Sequence, residues 1–494
     1  MERVGVIGAG PAGIAISRYL ISEGFDPVIF ERSSVLGGQW SGPEGQNGVW
    51  PNLHTNTSRV LTAFSDMPFA SDSVFPKNTE VHEYLETYAA QFNILERIRF
   101  STEVRELRRT DNGWTVEYVG GAEEFQRVVI ATGRFHSPSI PDVPGMDTFT
   151  GSEGVISTYS YKEPERYRGK SILVCGCAVS ALEIASDLPA IGAAHVALTQ
   201  RRQRYVLPKF AAGVPSDHKI FTRYGALAQE ALPAAEVSRQ LKEIVIEAGG
   251  SPEQYGAPKP ADDLFDAGVT LNQQYLPLVA EGKIDIHPWM ENVDGRTVAF
   301  ADGTKQDFDG IIFGTGFNLD LPFLSDEIRE TLDLDEHHAD LYKHTFNPDL
   351  PGLAFLGMWD QAGGYFVPIE LQARWVAYSW GGAIKGPSQS ELETGVAAYR
   401  ARRGLSQKTR MNLIAVDFAR AAGVEPNPSE WPGLERALLF GPLAPSSFRL
   451  SGHDPLSGAP EQLGREAAEF GSIVNSAFND REERYLELIY GTEG

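Results

Sequence analysis

VGVIGAGPAGIAISRYLISEGFDPVIFE, residues 4–31, reads as a strand, a glycine-rich turn, a helix and a second strand. Val4 to Ile7 is a short apolar run of the kind buried inside a parallel sheet. It runs into Gly8-Ala9-Gly10-Pro11-Ala12-Gly13. Gly13, Ile16, Ser17 and Leu20 then fall at i, i+3, i+4 and i+7, which is one helical face. The small residues on that face let the helix lie close to a sheet. Gly24 ends the helix, Pro27 to Phe30 forms the next strand, and Glu31 stands at its end.

The same unit recurs at ILVCGCAVSALEIASDLPAIGAAHVALT, residues 172–199. Ile172 to Cys175 is the strand and Gly176-Cys177-Ala178-Val179-Ser180-Ala181 the turn. Ala181, Ile184, Ala185 and Leu188 repeat the helical face, and His195 to Leu198 leads to Thr199. Gly8 to Glu31 and Gly176 to Thr199 both span 23 positions. Repeats set architecture, and two such βαβ units predict an α/β fold with two Rossmann-like dinucleotide-binding domains. Two further apolar runs end in a small-Thr-Gly turn, at Ala131-Thr132-Gly133 and at Gly314-Thr315-Gly316. One follows each unit. The expected division is a first domain over 1–155 and 305–494, with the second, 156–304, inserted between. Residues 207–275 read as an elaboration of the second domain, and 425–460 as a wrap with little regular structure.

The two units differ where they would meet a nucleotide. In the first, the glycines let backbone approach a pyrophosphate at a helix N-terminus. Glu31 accepts from both ribose hydroxyls and repels a 2′-phosphate, so this site suits FAD or NAD. In the second, Thr199 stands where the acid would be, and Arg201 and Arg202 follow. Guanidinium groups without an acid suit the 2′-phosphate of NADPH. Ala178 and Ala181 replace glycines, and a methyl at Ala178 is expected to push the pyrophosphate outward.

Composition narrows the class. The chain has 494 residues, 42% hydrophobic and 22% charged, with a net charge of −23. That is enough for two or three domains, and its charge disfavours nucleic acid and anionic membranes as partners. Cys175 and Cys177 are the two cysteines. They make no redox CxxC pair, read as small buried residues, and fit a cytoplasmic location. No signal peptide and no spanning segment is expected. His337-His338 sits among acids as a solvated loop, and no metal site is expected.

Residues 36–69 read LGGQWSGPEGQNGVWPNLHTNTSRVLTAFSDMPF. This stretch resembles the flavin-containing monooxygenases, in which GGxW follows the acid and a Leu-x-Thr-Asn element precedes Phe-x-Asp-x-Pro. VVIATGRFHSPSIPDVPG (128–145), ILVCGCAVSALEIA (172–185), LYKHTFNPDLPGLAFLG (341–357) and ELQARW (370–375) are similar to further segments of that family. The resemblance covers most of the chain to about 385. It implies FAD in the first domain and NADPH in the second. It also implies a C4a-hydroperoxyflavin that oxygenates a nitrogen or sulfur of a small molecule, with O2 as cosubstrate. Asn56 matches the family's active-site Asn; an amide donates and accepts without titrating. Gly38, Gln39 and Trp40 would pack by the flavin, with Arg32, Leu53 and Thr55 near it, and Val104 would offer its backbone to adenine. The linker departs from the family: Phe149, Gly151, Ser157 and Tyr159 or Tyr161 are present, but Val155 or Ile156 takes the His position. A Baeyer–Villiger monooxygenase acting on a ketone, an NADPH oxidase releasing hydrogen peroxide, and a flavin-binding sensor without turnover stay open as rivals. So does a homodimer.

Overall fold

The computed structural model describes residues 1–42, 47–405 and 408–491. Pro43 to Gln46, inside the 36–69 stretch, lie outside the described residues. Both βαβ units form. In the first, strand Arg3–Ile7 leads into helix Pro11–Ser22 and strand Asp26–Phe30. In the second, Ser171–Cys175 leads into Val179–Ile191 and His195–Gln200. Each anchors a five-stranded sheet whose neighbours all run parallel. The first sheet is ordered Leu353–Phe355, Arg127–Ile130, Arg3–Ile7, Asp26–Phe30, Ile98–Arg99. The second has the same order: Gly154–Ser157, Gly310–Phe313, Ser171–Cys175, His195–Gln200, Asp285–Pro288. An antiparallel three-stranded meander interrupts each unit at the same place, at 104–125 in the first and 290–307 in the second.

These pairings correct the expected boundaries. Gly310–Phe313 pairs with Ile172 to Cys175, and Lys305–Asp307 completes the second meander. A division at 304/305 therefore cuts the second unit, which runs on to Phe313. Gly154–Ser157 belongs to the second sheet as its edge, so a division at 155/156 cuts that strand.

Residues 207–275 are also more than an elaboration of the second unit. Helices Arg223–Ala231 and Ala234–Gly249 form there. Val237, Leu241 and Val245 share one core with Val4 and Val6 of the first sheet and with helix Phe366–Gly381. The wrap at 425–460 has only a short helix, Glu435–Phe440, and tight turns. Beside its turn hydrogen bonds, three of its carbonyls accept from buried arginines. Arg223 donates to Leu438 O at 2.8 Å, Arg374 to Phe448 O at 2.9 Å, and Arg449 to Asp454 O at 2.9 Å.

Candidate functional site

Two cavities open at the carboxyl ends of the two sheets, where ligands of such folds bind. The first, about 530 Å³, is lined by Gly8, Gly10, Pro11, Ala12, Glu31, Arg32, Gly38, Gln39, Trp40, Val104, Ala131, Thr132 and Gly133. The sequence reading named all of these. Gly8 is in the left-handed region at φ +107°, and a Cβ there would meet the Ala131 carbonyl oxygen at 2.6 Å. Gly13 lies behind the wall, where a Cβ would overlap the Gly8 carbonyl. Helix Pro11–Ser22 carries no side-chain cap, so its first-turn amides remain available to an anion. Glu31 accepts the Ala9 N–H at 2.7 Å and the Ser33 N–H at 2.8 Å. Those bonds hold its carboxylate in place and leave lone pairs for ribose hydroxyls. Gln39 donates to Phe135 O at 2.7 Å and accepts from Gly48 N at 2.8 Å, so its amide is spent on the wall. Thr132 Oγ1 is buried with no hydrogen-bond partner among the described residues.

The second cavity, about 990 Å³, contains Gly176, Ala178, Arg201, Arg202, Thr315 and Gly316 in its wall. Helix Val179–Ile191 also lacks a side-chain cap; Val179 and Ser180 open it without lining the cavity. Ala178 adopts an extended conformation (φ −97°, ψ 174°) close to that of Gly10 (φ −77°, ψ −176°), so its backbone does not require glycine. The missing glycine at 181 is compensated across the interface. Ala181 faces Gly314, whereas Gly13 faces Ala131. Each unit thus carries one methyl group at the helix–turn contact, on opposite partners. Cys175 and Cys177 are free and buried, and burial raises both thiols, which disfavours the thiolate.

Thr199 does not belong to the site. Gly8 N donates to Phe30 O, and Gly176 N donates to Thr199 O, both at 2.8 Å. Thr199 is therefore the counterpart of Phe30, and Gln200 that of Glu31. The two units stay in step through the helix end, where Phe25 N donates to Leu20 O and Ala193 N to Leu188 O. The extra residue lies in the turn that follows, since Arg3 pairs with Asp26 but Ser171 with His195. Thr199 is fully buried and donates to Pro288 O at 2.6 Å. Gln200 lines the cavity, and its Oε1 has no hydrogen-bond partner among the described residues. The acid is still absent, replaced by a neutral amide. Arg201 lies over the Trp289 ring at 4.8 Å, and Arg202 donates to Asp266 O at 2.9 Å.

Leu53, Thr55 and Asn56 line neither cavity. Their loop is pinned from two sides. Thr55 N donates to Pro76 O at 2.9 Å and Asn78 N to Leu53 O at 3.1 Å. Ser58 N donates to Asp217 Oδ2 at 2.6 Å, and Ser58 Oγ meets His218 Nε2 at 3.0 Å. Burial raises the Asp217 carboxyl to about 6 and lowers His218 to about 3, which leaves a neutral imidazole against the loop. Asn56 Oδ1 is buried without a hydrogen-bond partner among the described residues.

Sequence reasoning missed Gln200, and also Arg134, Arg204, Arg403 and Lys408, all of which line the second cavity. Arg134 lines both cavities. It directly follows the Thr132-Gly133 turn, which was a legible signal. Arg403 and Lys408 arrive from a distant segment that no local pattern marks. His338 contacts Asp340 at 2.7 Å, and Asp340 pairs with Arg400. No metal-binding group forms among the described residues.

A family model for flavin-binding monooxygenase-like proteins matches residues 1–466. The N-oxide-forming dimethylaniline monooxygenase 2 of Rattus norvegicus is 30% identical over 493 residues, covering 93% of this chain and 90% of the relative. Flavin-containing monooxygenase 5 of Oryctolagus cuniculus is 29% identical, covering 94% and 91%. Among solved structures, S-allyl-L-cysteine S-oxygenase from Allium sativum superposes with a TM-score of 0.63 at 24% identity over 85% of this chain and 88% of that one. Cyclohexanone monooxygenase from Rhodococcus sp. Phi1, bound to NADP+, gives 0.61 at 19% identity over 86% and 97%. The paired cavities and the whole-length match together place the chain in the flavin-containing monooxygenase family, as a flavin-dependent oxidoreductase.

Proposed function

We propose that the chain holds FAD in the first cavity and NADPH in the second, and that it transfers oxygen from O2 to a nitrogen or sulfur atom of a small molecule. The observation that carries this is the meeting of the two cavities at Arg134, which brings a site with Glu31 against a site with Gln200, Arg201 and Arg202. The flavin, once bound, supplies hydride acceptance and oxygen activation. The uncapped helix N-termini at Pro11 and Val179 receive the two pyrophosphates. Glu31 takes the FAD ribose, Val104 and Arg32 the adenosine end, and Trp40, Thr132 and Gly133 the flavin end. Arg201 and Arg202 take the 2′-phosphate, with Thr315 and Gly316 forming the opposite wall. Asn56 is assigned as the catalytic residue on the resemblance of its Leu-x-Thr-Asn element to the family's. The relatives' N-oxide and S-oxide chemistry supports the reaction class. No helix among the described residues is long and apolar enough to cross a membrane. Both thiols are free, which supports a cytoplasmic location.

The test is to supply NADPH, air and either a tertiary amine or a thioether, and to measure oxygenated product against NADPH consumed. Near-equal amounts support the reading. Ester formed from a ketone, or hydrogen peroxide alone, would replace it with a Baeyer–Villiger enzyme or an oxidase. Asn56→Ala is expected to keep flavin reduction by NADPH while most of the reducing equivalents leave as hydrogen peroxide; unchanged coupling removes Asn56 from the chemistry. Arg201→Ala is expected to raise KM for NADPH by about ten- to hundredfold, the value of a lost charge-assisted hydrogen bond. KM for NADH should stay nearly constant, and equal effects on both would reject the 2′-phosphate assignment.

A further inference from the structure

Arg134 is the one residue named above that lines both cavities, and its charge is unmatched among the described residues. The side chain is 8% exposed. Its Nε is buried without a hydrogen-bond partner, and its guanidinium forms no hydrogen bond or ion pair with any described residue. None of the acids in the two walls, Glu31, Glu103, Asp320, Asp335 and Asp360, forms an ion pair with it. Asp335 is engaged by Arg403, and Asp360 lies 4.0 Å from Lys408. A buried guanidinium is costly to leave without a counter-charge, so a ligand is the natural source of one. The cofactor phosphates have other places: the two helix N-termini for the pyrophosphates, Arg201 and Arg202 for the 2′-phosphate. The surroundings of Arg134 are aromatic. Phe135 packs edge-on against Tyr365 at 5.7 Å and against Phe317 at 5.6 Å, and Tyr159 packs against Phe317 at 6.2 Å.

We propose that Arg134 is a substrate-carboxylate anchor at the junction of the two cavities, which selects small thioethers or amines that carry an acid group on an apolar body. This rests on the oxygenase reading and narrows its substrate class. A guanidinium and a carboxylate match as planar, bidentate partners, and such a pair fixes orientation as well as affinity. Held there, the acid end would keep the apolar body among Phe135, Phe317 and Tyr365.

The test uses the FAD-loaded, NADP+-bound enzyme and follows the flavin absorbance during titration with 3-(methylthio)propanoate or with its methyl ester. Wild type is expected to bind the acid about tenfold or more tightly than the ester, the value of one charge-assisted contact. Arg134→Gln should erase that difference while leaving affinity for the ester and for NADP+ unchanged, and Arg134→Lys should restore part of it. Three results would overturn the proposal: a wild-type spectrum that the acid does not move at millimolar concentration, an acid preference that survives in Arg134→Gln, or a loss of FAD or NADP+ affinity in that variant. The last would assign the guanidinium to a cofactor phosphate. Because the titration needs bound cofactors but no turnover, failure of the oxygenase reading would appear separately, in the product assay.

Discussion

Gly13→Ala is expected to purify with little or no flavin, and Ala131→Gly added to it should not bring the flavin back. The added methyl would overlap the Gly8 carbonyl oxygen, which is backbone and cannot rotate away, while the Ala131 methyl lies 3.7 Å off and is not the obstacle. Overpacking of this kind costs about 1–3 kcal/mol. Felt at the helix N-terminus that receives the pyrophosphate, it weakens FAD binding about ten- to hundredfold. The second unit should behave differently. A Cβ on Gly314 would come within 2.7 Å of the Ala181 Cβ, and Gly314 has no left-handed strain. Gly314→Ala should therefore weaken NADPH binding, and Ala181→Gly should restore part of it, since the Ala181 Cα at 2.9 Å and N at 3.0 Å remain in the way. Flavin absorbance of the purified proteins and NADP+ titration read the two pairs. Rescue in the first pair, or none in the second, would show that the methyl exchange does not govern helix placement.

Both βαβ units were legible because each is local. Strand, turn and helix lie within one short stretch, and Gly13, Ile16, Ser17 and Leu20 are all buried, together with Ile14, Ala15 and Tyr19 on the remaining sides of the helix. The error at Thr199 came from counting positions as if both helix-to-strand turns had one length. Strand register depends on the turn that leads into the strand, and an additional residue between Gly192 and His195 moved Gln200 into the place of the acid. The boundary at 304/305 failed for a related reason. Gly310–Phe313 was read correctly as a strand, but its partner, Ser171–Cys175, lies far back in the chain, and pairing over that distance leaves no local mark. Arg403 and Lys408 reach the second cavity by the same kind of long-range closure. The wrap at 425–460 looked irregular and is irregular. What the sequence did not disclose is that buried arginines, 223 and 374 from other segments and 449 from the wrap itself, donate to backbone carbonyls there.

One of those arginines anchors a charge network that binds the first unit to the wrap. Tyr19, on the first helix, donates to Glu370 at 2.6 Å, and Ser65 N donates to the other oxygen of Glu370 at 2.8 Å. Arg449 donates to Ser65 Oγ at 2.6 Å and to the Tyr19 hydroxyl at 2.8 Å, pairs with Asp454, and lies 3.5 Å from Asp66. Arg374 holds Asp454 from the other side. Arg449→Met keeps the volume and removes the charge, which leaves Glu370 and Asp66 buried with less compensation. Breaking such a pair from one side costs about 3–5 kcal/mol, a large part of the stability of a typical domain. The variant should unfold at a clearly lower urea concentration. The deficit should also depend on pH in a set direction. Burial already raises the Glu370 carboxyl above the usual carboxylate range against the opposing pull of Arg449, and removing Arg449 raises it further. A carboxyl raised in the folded state holds its proton there more firmly than in the unfolded chain. Its contribution is therefore fully present at acidic pH and is lost as pH rises through the folded value. Arg449→Met should thus lose less stability relative to wild type at acidic pH than at neutral pH, and Glu370→Gln added to it should recover part of the loss at neutral pH. A loss independent of pH, with no recovery, would mean that Arg449 acts through packing and its carbonyl bond to Asp454 rather than through charge.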